Sequence, residues 1–502
     1  MKYLSNPHKI SGYETKQHQS SYSTYANTRC FIHTSVTIFL PSIYFKPISS
    51  NIPITYHRSP LQQQQRFHSI SMVFDNNNET NSSSNPIIRS IPREDSPLLG
   101  TSDSLSSTPK TFANIFIAIV GAGVLGLPYT FMRTGWLTGF IMIFVVSGLA
   151  YRGMMLLVET RRKLETPLTY SRINSFGDLG FAVCGPIGRF VVDILILASQ
   201  AGFCVGYLIF IGNTLSHLFH SAPVESGNYL NAAPYIWGLK AKTFYIWGCF
   251  PFQLGLNAIP TLTLLAPLSI FADIVDVGAM SVVMVQDVVV FLKTTTNVHA
   301  FGSFSTFCYG LGVALFSFEG IGMALPLEAE ARDKKRFGFV LGWAMFSIAA
   351  MYGVFGVLGY FAFGENTRDI VTANMGKGML SSLVQLGLCV NLFFTFPLMM
   401  HPVYEVMERR YWEGRYCLWM RWVLVMVVSL VALLVPNFTD FLSLVGSSTC
   451  CILGLVLPAL FHYIVFKNEL KREELMYDLA MIVLGVILGV LGTWFSLMEM
   501  LF

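Results

Sequence analysis

The chain has 502 residues, 53% of them hydrophobic and only 12% charged, with 41 Phe and 22 Met. Soluble domains carry about 25% charged residues, so a chain with a mean hydropathy of +0.54 has too little polar surface to face water, which excludes an ordinary soluble enzyme or binding module. The net charge of +4 is small for this length and argues against a nucleic-acid partner.

Residues 1–110 are rich in Ser, Asn, Gln and Pro, with only weak apolar runs. Such a segment buries too little apolar area to offset its ordering entropy and reads as disordered. Residues 1–71 hold one acid, Glu14, against Lys2, Lys9, Lys16, Arg29, Lys46, Arg58 and Arg66. They read either as a transit peptide or, preferably, as an extension ahead of a start at Met72. The run from Cys30 to Tyr44 is too short and interrupted to span a bilayer. Residues 72–110 read as a cytoplasmic tail and 111–502 as the transmembrane domain. The tail contains Arg93-Glu94-Asp95-Ser96-Pro97-Leu98-Leu99. Glu94 followed by Leu98 and Leu99 has the acidic dileucine form, a short peptide that a sorting adaptor can dock. Sequons stand at Asn78, Asn81 and Asn437. The first two fall on the expected cytoplasmic side and the third hugs the membrane, so no glycan is expected.

From residue 111, apolar runs of about 20 residues recur, the length that crosses about 30 Å of hydrocarbon as helix. Hydropathy places about eleven spans, near 112–133, 136–158, 188–217, 243–259, 264–292, 304–326, 337–363, 379–402, 421–437, 440–466 and 477–499. Pro260 and Pro267 blur the boundary between the fourth and fifth. With a cytoplasmic N-terminus, the inner loops hold about 16 Lys and Arg, among them Arg161, Arg162, Lys163, Arg332, Arg336, Arg409, Arg410 and Lys467, against about six outside. This charge asymmetry supports eleven spans and a non-cytoplasmic C-terminus.

The first span contains Gly121-Ala122-Gly123-Val124-Leu125-Gly126-Leu127-Pro128. Three glycines and a proline within one short run destabilise a helix by several kcal/mol. In hydrocarbon, freed backbone groups survive only where protein or a polar cavity satisfies them, so a broken helix at membrane depth is a candidate binding site. The same letters match a dinucleotide-binding glycine pattern, but no strand precedes them and Pro128 follows, so that reading is rejected. Close helix packing through small residues is the other reading. The sixth span repeats the feature, as Ser317-Phe318-Glu319-Gly320-Ile321-Gly322, closed by Pro326. Spans one and six are equivalent in a five-plus-five repeat, and paired interrupted helices in the two halves point to a transporter site. Half-helix N-termini offer N–H donors to a carboxylate and freed carbonyls accept from an ammonium. An amino-acid zwitterion needs both.

Glu319 is the candidate for a coupled proton. A mid-bilayer carboxylate costs about 2.5–3.5 kcal/mol on insertion scales and is functional by default; its alternative is a structural carboxylate satisfied by backbone N–H groups of the same break. Other intramembrane polar residues read more weakly. Asp193 is expected to pair with Arg189 four residues before it. Asp273, Asp276 and Asp287 share the fifth span, where some are expected at an interface. Gln200 and Asn391 line a cavity or bridge helices, and His401 is an interfacial histidine. The nine cysteines form no metal-ligand or disulfide pattern; Cys204, Cys389, Cys450 and Cys451 read as small core hydrophobes. No intramembrane Ser/His pair, protease-like aspartate motif or metal cluster suggests an enzyme.

Several long strings carry a family resemblance: Pro109-Lys110-Thr111-Phe112-Ala113-Asn114 leading into Gly121 to Tyr129, Pro251-Phe252-Gln253-Leu254-Gly255-Leu256-Asn257, Phe318 to Gly322, and Phe396-Pro397-Leu398-Met399-Met400. They resemble the plant vacuolar transporters of aromatic and neutral amino acids within the amino acid/auxin permease family, similar to animal proton-coupled amino-acid transporters. The resemblance runs from about residue 90 to the end. It implies an all-α membrane protein of about 11 transmembrane helices, with the leucine-transporter-type five-plus-five inverted repeat plus one helix. It further implies tonoplast residence, with the plasma membrane as alternative, and proton-driven export of neutral amino acids such as alanine and proline to the cytosol. No cofactor or metal is implied. By motif, Gly121, Ala122, Gly123 and Val124 offer backbone groups to substrate from one broken helix, and Ser317, Phe318 and Gly320 from the other beside Glu319. A membrane sensor that binds an amino acid and signals through its tail, with little flux, is the competing function.

Overall fold

Among the described residues, fourteen α-helices carry nearly all the regular structure. The structure is a computed structural model that describes residues 105–165, 173–220, 235–236, 239–260, 266–294, 296–375 and 378–501. They all belong to one compact unit, Arg66–Phe502; the other unit, Met1–Gln65, lies outside the described residues. So do the rest of the extension 1–71, the sequons Asn78 and Asn81, the dileucine residues Glu94, Leu98 and Leu99, and the side chain of Asp273.

The first span is broken as its glycines predict. Helix α1 (Thr108–Ile119) gives way at Val120 and Gly121 to a 3-10 turn over Ala122–Gly126, then to α2 (Leu127–Thr134), with a bend of 52°. Pro128 sits in the first turn of α2, where a missing N–H removes no helical bond. Helix α3 (Trp136–Leu164) follows Gly135, whose φ of 84° suits glycine. Helix α4 (Phe176–His220) is interrupted at Gly185 ahead of Pro186, so its spanning part matches the expected 188–217. A two-residue hairpin, β1 (Tyr235–Ile236) with β2 (Leu239–Lys240), precedes α5 (Ala241–Asn257), and α6 (Ala266–Phe291) ends the first half.

The second half repeats this order. Helices α7 (Phe304–Ser317) and α8 (Ile321–Glu330) form the second broken span. Then come α9 (Phe337–Phe363), α10 (Met379–Tyr411) and α11 (Leu418–Leu434). The tenth span runs through α12 (Phe438–Val445), two π-helical turns at Gly446–Cys450 and Ile452–Val456, and α13 (Leu457–Phe466). Helix α14 (Arg472–Leu501) is the extra one. Eight helical stretches are long and apolar enough to cross a bilayer, and the bent α1–α2 pair makes nine. Among the described residues one further apolar helix, the 17-residue α11, is too short to pass that test, so the expected count of about eleven is met only approximately.

Packing follows the repeat. Helix α3 packs on α9 and α4 on α10, pairing equivalent spans. Helix α1 packs on α9 as α7 does on α3, and α6 packs on α10 as α12 does on α4. These reciprocal pairs are what a two-fold relation between the halves produces. The outward surface carries Ile141, Val145, Phe252, Trp419, Leu434, Val490 and Trp494. Such a surface matches hydrocarbon and would be a liability in water.

Buried polar clasps lock helices where no hydrophobic drive exists between them. Gln253 of α5 donates to the Phe393 carbonyl (2.9 Å), Tyr404 donates to Asn257 (2.7 Å), and Arg421 pairs with Glu408 (2.9 Å) while lying over the Tyr404 and Tyr416 rings. Asp193 pairs with Arg189 as expected, at 3.8 Å. Asp276 and Asp287 face the bundle interior instead of an interface, since α6 is packed on one side by both α9 and α10. Cys204, Cys389, Cys450 and Cys451 are buried and free.

Candidate functional site

The two broken spans meet at their breaks. A Cβ on Gly123 would stand 2.7 Å from Ser317 Oγ and 2.8 Å from Ser317 Cα, so only hydrogen lets the backbones approach this closely. Gly320 lies against Ile119, whose Cγ1 would be 2.8 Å from an added Cβ. Of the residues singled out in the sequence, Ala122, Gly123, Val124, Ser317 and Phe318 are buried here, while Gly121, Glu319 and Gly320 retain partial exposure. The structure therefore brings both sets of candidate residues together.

The helix ends at this junction have opposite polarity. Helices α1 and α7 terminate at Ile119 and Ser317, pointing carbonyl ends at the breaks, while α2 and α8 begin at Leu127 and Ile321. Partial negative charge from the first pair and partial positive charge from the second face one small volume. Phe318 and Glu319 are turned back by bonds from their N–H groups to the carbonyls of Ala314 and Phe316. In the first span the Val124 N–H reaches the Gly121 carbonyl at 3.3 Å.

Glu319 accepts a hydrogen bond from the Ile321 N–H and one from the Cys450 thiol. The first contact is the one a structural carboxylate would make; the second ties Glu319 to the π-helical turn of the tenth span, a helix defect often found at functional sites. A cavity of about 10 Å³ beside Glu319, lined by Met154, Phe318, Ile321, Cys450 and Gly454, has room for a single water. An amino acid needs the surrounding helices to part.

Sequence reasoning missed Tyr352 and Phe203. The Tyr352 hydroxyl donates to the Ile119 carbonyl at 3.5 Å and accepts from the Gly121 N–H, bridging the first break from α9. Its ring lies 5.3 Å from Phe318, and Phe203 of α4 meets Phe316 edge-on at 4.6 Å. Neither stands out in an aromatic-rich apolar helix. Gln200 precedes Phe203 by three residues on α4 and its Oε1 is buried with no hydrogen-bond partner among the described residues, while Asn391 accepts from Thr395 of its own helix (3.0 Å).

Both approaches to the junction are closed. At the end expected to be cytoplasmic, Glu328 is fully buried and ion-paired to Arg161 and Arg162, and Arg161 also donates to the Leu325 carbonyl (2.9 Å). Ser106, ahead of α1, is bound to α8 by backbone bonds with Glu330 and Arg332. At the opposite end Tyr309 donates to Asp440 (2.7 Å), Arg133 stacks on Tyr309 and pairs with Glu499 (2.5 Å), and Asn437 donates to Asp440 (2.7 Å).

Comparison with known proteins gives this arrangement a family. The family model described as transmembrane amino acid transporter protein matches residues 104–498. The chain is 63% identical over 407 residues to "Amino acid transporter AVT3B" of Arabidopsis thaliana, covering 81% of this chain and 97% of the relative. It is 60% identical to "Amino acid transporter AVT3A" of the same plant (82% and 93% covered) and 35% identical to "Amino acid transporter ANT1" (83% and 96%). These relatives are transporters, not enzymes. Among solved structures, that of MhsT in complex with L-phenylalanine superposes with a TM-score of 0.50 at 13% identity, covering 77% of this chain and 98% of the other, a likeness of the leucine-transporter-type fold. With a family model over most of its length and such relatives along nearly the whole transmembrane region, the chain belongs to the transmembrane amino acid transporter family.

Proposed function

We propose that this amino acid transporter moves neutral amino acids, alanine and proline among them, together with protons across the vacuolar membrane, from the lumen to the cytosol. The observation that carries this reading is the contact of the two broken spans at Gly123 and Ser317, with Glu319 inside the second break. Helix N-termini there suit the substrate carboxylate, and the carbonyl ends of α1 and α7 suit its ammonium. A net-neutral zwitterion needs no further charge, and Gly121, Ala122, Gly123, Val124, Ser317, Phe318 and Gly320 supply backbone groups beside apolar walls. Glu319 takes the proton, holding it when the Ile321 and Cys450 contacts loosen. The N-terminus lies in the cytosol with the Glu94, Leu98 and Leu99 signal open to a sorting adaptor, and the C-terminus faces the lumen.

Proteoliposomes holding the full chain test this directly. Labelled alanine or proline should accumulate when a pH gradient is imposed, with arginine and glutamate excluded. Equal uptake with and without the gradient would defeat proton coupling, and negligible flux despite saturable alanine binding would favour the sensor.

A further inference from the structure

Asp287 stands one turn from the end of α6 and is fully buried. Neither carboxylate oxygen has a hydrogen-bond partner among the described residues. Other buried acids are engaged: Asp440 by Tyr309 and Asn437, Glu328 by two arginines, Glu408 by Arg421, and Asp478 by His462 (2.6 Å).

The surroundings of Asp287 define a closed notch. A Cβ on Gly359 of α9 would lie 3.4 Å from Asp287 Oδ2 and 2.7 Å from Pro128. The carboxylate therefore sits where α6 meets α9 beside the first turn of α2, the second half of the bent first span. Asp276, Met280, Val283 and Asp287 form one buried stripe along α6 at helical spacing. Facing groups supply no compensating cation. Helix α9 contributes only Tyr352 and Tyr360 as titratable side chains, and α10 only Cys389 between Met379 and Met400. Helix α2 contributes Tyr129 and Arg133, and Arg133 is held by Glu499 and the Tyr309 ring.

An ionised carboxylate without partners in such a place costs several kcal/mol. A bound metal ion would need about six oxygen ligands, and the described residues contain no group of three His, Cys, Asp or Glu able to hold one. A proton needs one oxygen. We propose that Asp287 is a second proton-binding site of the carrier, distinct from Glu319, which exchanges its proton when α2 moves off Gly359 and opens the notch. This rests on the proton-driven reading above.

The test uses the full chain in sodium-free proteoliposomes, with labelled alanine uptake and proton entry measured together under a pH gradient. Alanine counterflow is measured without one. Asp287→Asn should keep counterflow while the protons moved per alanine fall to about half, and Asp287→Glu should restore the ratio. An unchanged ratio in Asp287→Asn, beside coupled flux in the unmutated protein and its loss in Glu319→Gln, overturns this inference alone. Absence of any gradient effect in the unmutated protein removes the underlying reading as well. Sodium that stimulates the unmutated protein but not Asp287→Asn would make the site a metal site and overturn the proposal. A second measurement needs no variant: dicyclohexylcarbodiimide attacks protonated carboxyls in apolar surroundings, so mass spectrometry should find Asp287 modified increasingly as pH is lowered. No modification at any pH would also overturn it.

Discussion

Gly123 and Ser317 are the residues at which the two broken spans meet. An added Cβ at Gly123 meets the Cα of Ser317, a backbone atom that cannot rotate away. Gly123→Ala should therefore separate the two breaks, cost about 1–3 kcal/mol as overpacking does, and cut uptake strongly. Thermal unfolding of the detergent-solubilised protein and alanine uptake check the two effects. Glu319→Gln keeps size and the ability to accept from Ile321, but cannot release a proton at ordinary pH. It should reach its membrane and support counterflow, while gradient-driven uptake falls by about tenfold or more, equivalent to at least 1.4 kcal/mol; ordinary pH-driven uptake by this variant would remove Glu319 from the mechanism. These positions were legible because glycine, proline and a carboxylate contradict the apolar helices that contain them. Tyr352 and Cys450 were not legible. Each is an unremarkable residue in an apolar run, and each acquires a partner only when α9 and the tenth span pack beside the breaks.

At the scale of elements, helix boundaries followed the sequence closely wherever a glycine, proline or charged loop ended an apolar run. The transmembrane domain was expected from residue 111, and α1 begins at Thr108 with Ser106 already bound to α8. Nothing in the local sequence announces that tie, because it is made to a strand-like turn more than 200 residues away. The tenth span reads as one apolar run, yet it holds two π-helical turns, and at the first of them a Cβ on Gly446 would collide with the Gly312 carbonyl of α7. The clasp between α10 and α11 supplies a measurable prediction. Arg421 and Glu408 are both nearly buried, so Glu408→Ala strands a guanidinium and should destabilise the protein by about 3–5 kcal/mol. Replacing both residues by apolar ones should cost clearly less. Unfolding midpoints of the two variants decide it, and equal losses would contradict the desolvation argument.

For the whole molecule, the tail and the helical bundle are expected to be separable functions. Deleting residues 1–90 should leave alanine uptake intact, since the two broken spans that carry the candidate site lie within Thr108–Glu330; loss of flux on that deletion would speak for the tail-dependent sensor. Leu98→Ala with Leu99→Ala should move the protein from the vacuolar to the plasma membrane without changing transport, and unchanged vacuolar labelling in cells would discard the signal. Composition, the all-helical membrane architecture and the two interrupted helices were determined by the sequence itself, because lipid forces every span to satisfy its own backbone hydrogen bonds and so writes each span as a long apolar run with visible defects. Which defects touch was decided only by the tertiary structure. The pairing of Gly123 with Ser317, the closure of both approaches and the isolation of Asp287 depend on helices distant in the chain meeting through side-chain shape, and shape complementarity between distant segments has no local signature in the order of residues.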